Sequence, residues 1–108
     1  MSPPASPVAL EIRTARLRLG YADYPRPCIV THVPAQGLIS VLPLSTKHYG
    51  PPGESFRVDA THPDFPATGL SATSFTAGPI RYLPLGDIGP RKGRLQGDLA
   101  RAFLEWLG

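Results

Sequence analysis

Fourteen prolines and eleven glycines are spread along 108 residues, and they decide what the chain can build. Proline removes a backbone donor and breaks a helix interior, and glycine weakens helices and strands alike. Many short strands joined by tight turns is the architecture that tolerates this punctuation. A chain of this length buries one modest core and not two. Its hydrophobic fraction of 42% argues against wholesale disorder. The expected class is mainly β, with residues 1–8 a flexible tail and 9–108 a single domain.

The formal charge is +3 and the sequence pI about 9.4, a mild excess that suits a nucleic-acid or acidic-protein partner without demanding one. The lone Cys28 has no internal disulfide partner, which points to a reducing, cytoplasmic setting. No apolar run approaches the roughly 20 residues of a membrane span, and the first seven residues lack the basic and apolar regions of a signal peptide. The reading is a soluble protein with no membrane association.

Leu10 and Ile12 alternate on one face and Leu17 and Leu19 on the other, which predicts a strand with a bend or bulge near Ala15. Residues 28–33, Cys-Ile-Val-Thr-His-Val, are a β-branched run suited to a central strand. The turn 34–37 returns it into residues 38–44 as its hairpin partner. Pro43 lies inside that second strand and is expected to weaken or bulge the pairing. Further short strands are read at 56–59, 74–76 and 80–83, with 61–68 an irregular loop. Around 87–95 a strand remnant flanks a Gly-Pro-Arg-Lys-Gly turn. At the end, Asp98 is placed to cap a helix whose apolar stripe is Leu99, Ala102, Phe103 and Trp106, with Gly108 its stop.

His32, His48 and His62 are 16 and 14 residues apart, a spacing without a compact metal set, and Cys28 does not complete one; no metal and no cofactor are expected. A Ser45–His48–Asp87 triad can be drawn on paper, but no nucleophile-elbow motif supports it. What remains is an ordered series of short segments. Arg26-Pro27 leads into Cys-Ile-Val30, Val41-Leu-Pro-Leu-Ser45 ends in a hydroxyl, and Thr68-Gly-Leu70 precedes Ser74. Ile80-Arg81 follows, and Gly93-Arg-Leu95 stands just before the last helix.

In order and spacing this series resembles the PemK/MazF family of toxin endoribonucleases, over roughly residues 20–108. The resemblance implies a small SH3-like barrel with a C-terminal α-helix, homodimeric, cytoplasmic, and neutralised by a cognate antitoxin protein. It implies metal-independent cleavage of single-stranded RNA by 2′-hydroxyl attack, leaving a cyclic phosphate. Arg26, Ser45 and Arg81 match the positions of the family's catalytic or substrate-contacting groups. Asp23, Tyr24, Thr46, Lys47 and Tyr82 are the accompanying candidates for RNA contact, and Tyr21 offers a further ring for stacking. A second reading of the same layout, by resemblance to the CcdB gyrase poisons with their C-terminal Trp, is a protein that acts by binding alone. A catalytically degenerate binding protein of this fold is the third.

Overall fold

The β-branched run is the spine of the sheet. A computed structural model describes residues 7–17, 25–48 and 54–108, and in it β2 (Pro25–His32) and β3 (Ile39–Ser45) form the central antiparallel pair. β1 (Glu11–Arg16) lies against β2 in an unbroken register from Ile12↔Ile29 to Arg16↔Pro25. β4 (Arg57–Val58), β5 (Ser74–Thr76), β6 (Arg81–Leu83) and β7 (Ile88–Arg94) complete seven strands in the order β4-β5-β3-β2-β1-β7, with β6 on β3. No pairing joins β4 to β7 among the described residues, so the sheet curls without closing by hydrogen bonds.

Uninterrupted apolar runs in β2 and β3 arise because the sheet is covered on both faces. Ile29, Leu42 and Leu44 point into one cluster with Ile12, Phe56, Val58 and Phe65. Cys28, Val30, Ile39 and Val41 point into a second with Ala15, Leu17 and Leu83. Alternation along each strand thus feeds two cores from one sequence run.

The last helix, α1 (Gly97–Leu107), closes the first cluster with Leu99 and Phe103. Phe103 is fully buried, and its ring meets Phe56 at 5.2 Å and Trp106 at 5.9 Å. Trp106 therefore acts as a lid, 36% exposed, and Ala102, expected on the buried stripe, faces outward. The expected cap is also corrected. Gln96 occupies the N-cap position and Asp98 the first turn, where it pairs with Arg101 at 3.4 Å. The capping carboxylate is Asp64: Leu99 N–H donates to its Oδ2 at 3.3 Å. Gly97 makes room for it at φ +58, since a Cβ there would sit 2.7 Å from that same oxygen.

Two expectations about proline need revision. Gly-Pro-Arg-Lys-Gly is the interior of β7 and not a turn; among the described residues β7 pairs with β1 alone, and Pro90 falls where that register slips, so its missing N–H is tolerated. The irregularity expected near Ala15 is real but belongs to β7, whose register against β1 slips twice between Ile12 and Ala15. Pro43, meanwhile, pairs with Cys28 in a stretch of β2–β3 register that runs regularly to Val30↔Val41 and shifts only beyond it, between Val30 and His32. The discontinuity falls on the far edge of β3, where β6 pairs with 39–41 and β5 with 44–45, and where Ala77 N–H donates to the Pro43 carbonyl at 2.8 Å.

Candidate functional site

The last β2–β3 pair is Cys28 with Pro43. Beyond it the two strands part company: Pro27, Arg26 and Pro25 stay with β1, and Leu44 and Ser45 go with β5. Pro25 and Pro27 have no N–H to offer across the gap, so the sequence itself unzips the pair here. A cleft of about 360 Å³ opens between them, with Pro25, Arg26 and Pro27 on one wall and Leu44 to Lys47 on the other, and Ser74 also lining it.

Arg26 and Ser45 thus line one cleft. Arg26 is half-buried, its backbone held by pairing with Ala15. The Ser45 hydroxyl accepts the Lys47 N–H at 3.1 Å, which folds the end of β3 back and leaves the O–H to donate. Thr46 and Lys47 are exposed at the rim. The charged groups among the lining residues are both cations, Arg26 and Lys47, and the rest of the polar lining is hydroxyl. Such a set has the donors and charge to hold a phosphodiester.

The other candidates are distributed differently. Arg81 lies on β6 opposite Val41, four residues up β3 from Ser45, or roughly 13 Å at the usual strand rise. Tyr82 is 62% exposed and pairs with Ser40, on the opposite face from Arg81. Asp23, Tyr24 and Tyr21 fall outside the described residues. Asp87 lines a separate cavity of about 330 Å³ with Thr14, Arg16 and Pro90, so the paper triad with Ser45 and His48 does not assemble. No group of three His, Cys, Asp or Glu among the described residues is placed to hold a metal ion.

Cys28 stands at the base of the parting strands but faces the second core. Burial pushes its thiol up to about 12, against a smaller opposing pull from the Arg26 cation, and its S–H donates to the Arg26 carbonyl at 3.5 Å. It is a packed hydrophobe and not a nucleophile at neutral pH.

Three features had no separate signal in the sequence. Glu11, buried in β1, is shared by Arg13 at 3.2 Å and Arg91 at 3.4 Å and accepts the Val8 N–H at 2.6 Å, tying β7 and the start of the fold to β1. His48 and Phe75 form an edge-to-face ring pair at 5.0 Å beside Ser45. Finally, the Thr-Gly-Leu and Gly-Arg-Leu segments interlock. A Cβ on Gly69 would come 2.1 Å from the Lys92 carbonyl oxygen, and one on Gly93 would come 2.2 Å from that of Ala67.

No family model and no curated protein matches the sequence. Among solved structures the chain is similar to the Mycobacterium tuberculosis toxin MazF-mt6, with 23% identity and a TM-score of 0.67 over 91% of this chain and 92% of that one. It is also similar to an endoribonuclease from a mycobacterial species solved in complex with its cognate antitoxin, with 16% identity and a TM-score of 0.67 over 94% and 91% of the two chains. The fold is the MazF-like one that the order of motifs suggests. No described helix is long and apolar enough to cross a membrane.

Proposed function

We propose that this chain is a toxin-like endoribonuclease that cleaves single-stranded RNA in the Arg26–Ser45 cleft without a metal ion and is silenced by an antitoxin protein. The observation that carries the reading is the meeting of Arg26 and Ser45, from different strands, in one cleft whose charged lining is cationic. The likeness to two toxin-type structures, one of them an endoribonuclease solved with its antitoxin, supports it.

In this chemistry the ribose 2′-oxygen attacks the adjacent phosphorus, the P–O5′ bond breaks, and the 2′-proton is delivered to the departing 5′-oxygen. The products are a 2′,3′-cyclic phosphate and a 5′-hydroxyl. Arg26 keeps its proton throughout, so its part is to hold two phosphate oxygens and stabilise the added charge of the phosphorane. The Ser45 O–H donates to a third position on the same phosphate, and Lys47 at the rim offsets charge on the leaving side. Thr46 at the rim serves as a further RNA contact, and Asp23 and Tyr24 are assigned the same part by the family resemblance alone. Arg81, beyond reach of the scissile phosphate along β3, holds a flanking one, and Tyr82, on the opposite face, stands outside this RNA path. The functional unit is a homodimer, and an acidic antitoxin segment complements the cationic cleft.

The test is incubation of a single-stranded oligoribonucleotide with the protein in excess chelator, followed by analysis of the new ends. Cyclic phosphate ends, lost on Arg26→Ala, support the reading. Intact RNA at high protein concentration leaves the binding-only alternative in its place.

A further inference from the structure

Past the cleft, the register continues outward from Ser45 in a row. Ser45 pairs with Phe75 on β5, and Phe75 pairs with Arg57 on β4. Directly paired residues project to the same face, so Ser45, Phe75 and Arg57 stand side by side at intervals of roughly 5 Å. Ser45 belongs to the cleft. Phe75 is half-buried although its neighbours in β5, Ser74 and Thr76, are buried on the opposite face. The exposed His48 ring lies against it at 5.0 Å and 62°. Arg57 is exposed at the end of the row, 3.7 Å from Asp59 in a loose surface pair. A hydroxyl, an aromatic shelf and a cation in sequence repeat the alternation of a polynucleotide, in which phosphate, base and phosphate follow one another.

We infer that Phe75 and His48 form a stacking shelf for the nucleobase next to the phosphate held at Arg26 and Ser45, with Arg57 receiving the following phosphate. This rests on the reading of the cleft as a site for single-stranded RNA, and it adds the direction in which the strand leaves the cleft, across β5 towards β4. It also requires unpaired bases, because a base locked in a duplex cannot turn its face onto a side-chain ring.

The experiment measures binding of a fluorescent single-stranded oligoribonucleotide, 2′-O-methylated to prevent cleavage, over a range of salt concentrations. The variants are Phe75→Leu, His48→Ala, Arg57→Gln and Arg26→Ala, each checked for an unchanged melting transition. Phe75→Leu keeps an apolar side chain of similar size, and Phe75→Tyr keeps the ring and should bind like the parent. Loss of one stacking contact should weaken Phe75→Leu on the order of tenfold at every salt concentration, leaving the salt slope unchanged. Arg57→Gln should reduce that slope by about one phosphate contact. An oligonucleotide abasic at the shelf position should bind parent and Phe75→Leu equally, a result that a merely structural role for Phe75 would not give. The shelf is overturned if Phe75→Leu and His48→Ala bind like the parent while Arg26→Ala is weakened, and the cleft reading survives that outcome. Failure of the parent protein to bind the single strand overturns both.

Discussion

Arg26 is held by what surrounds it in the chain. Two prolines fix the backbone on either side, the pairing with Ala15 anchors it to β1, and the partner strand turns away so that the side chain faces an opening. Such a mount holds the guanidinium at the cleft wall, where the proposed phosphate would bind. Arg26→Ala is expected to lower kcat/KM for RNA by about 10²–10³-fold, the loss typical of one transition-state hydrogen-bonding group, with the melting temperature within a few degrees of the parent. Arg26→Lys keeps the charge but not the fork and should recover only part of that loss in the same assay. Cys28, one pair from the cleft, behaves in the opposite way. Its thiol is pushed from 9.0 up to about 12, so the folded state favours the neutral form. The associated stability is fully present below about pH 9 and is lost as pH climbs towards 12. At pH 8 the native protein should therefore resist a thiol-specific reagent that labels Cys28 readily once denaturant is added. Rapid labelling of the native state would contradict the buried placement.

At the scale of elements, the short motifs that make the chain legible are mostly scaffold. Gly69 stands at φ +72 under the Lys92 carbonyl, and Gly93 abuts the Ala67 and Thr68 carbonyls, so two motif segments 24 residues apart lock the 3₁₀ turn at Phe65–Thr68 onto β7. Thr68, fully buried, completes the lock by donating its hydroxyl to the Phe65 carbonyl at 2.7 Å. Gly93→Ala should destabilise by more than about 2 kcal/mol in denaturant unfolding, because backbone must move, whereas Gly86→Ala, with nothing within 4 Å, should stay within about 0.5 kcal/mol. Asp64→Ala should cost about 1 kcal/mol through loss of the α1 cap. These elements also mark how far the sequence could be read. The β2–β3 hairpin is visible because both faces of a continuous apolar run are buried. The terminal helix is visible from its Leu99–Phe103 spacing. The course of β7 is hidden, because an edge strand accepts the Gly-Pro signals of a turn. The cap is hidden too, because Asp64 lies 35 residues from the amide it receives. For the site, the Arg-Pro and the strand-end Ser are legible as separate segments. Their convergence follows from the parting of β2 and β3, and the Phe75–His48 pair follows from β5 register, and neither of these is written in local spacing.

The whole molecule divides its labour between two sides of one sheet. The helix side is sealed by Leu99, Phe103 and the Trp106 lid, and carries the larger share of the core. The cleft sits where the central pair unzips, and its half-buried and exposed side chains, Arg26, Ser45, Thr46 and Lys47, can change with little cost to folding. This separation has a consequence for mutagenesis. Phe103→Ala should cost roughly 3–5 kcal/mol and deplete the folded protein, whereas changes at Arg26 and Ser45 should act on RNA and leave unfolding curves alone. Whether Arg26 and Ser45 serve one phosphate is decided by a double-mutant cycle on cleavage rate. Arg26→Ala, Ser45→Ala and the double variant are compared with the parent under single-turnover conditions in chelator. Groups that share a transition state are non-additive, so the double variant should be little slower than Arg26→Ala alone. Fully multiplicative losses, or cleavage untouched in all three folded variants, would show that the two side chains do not act on one phosphate.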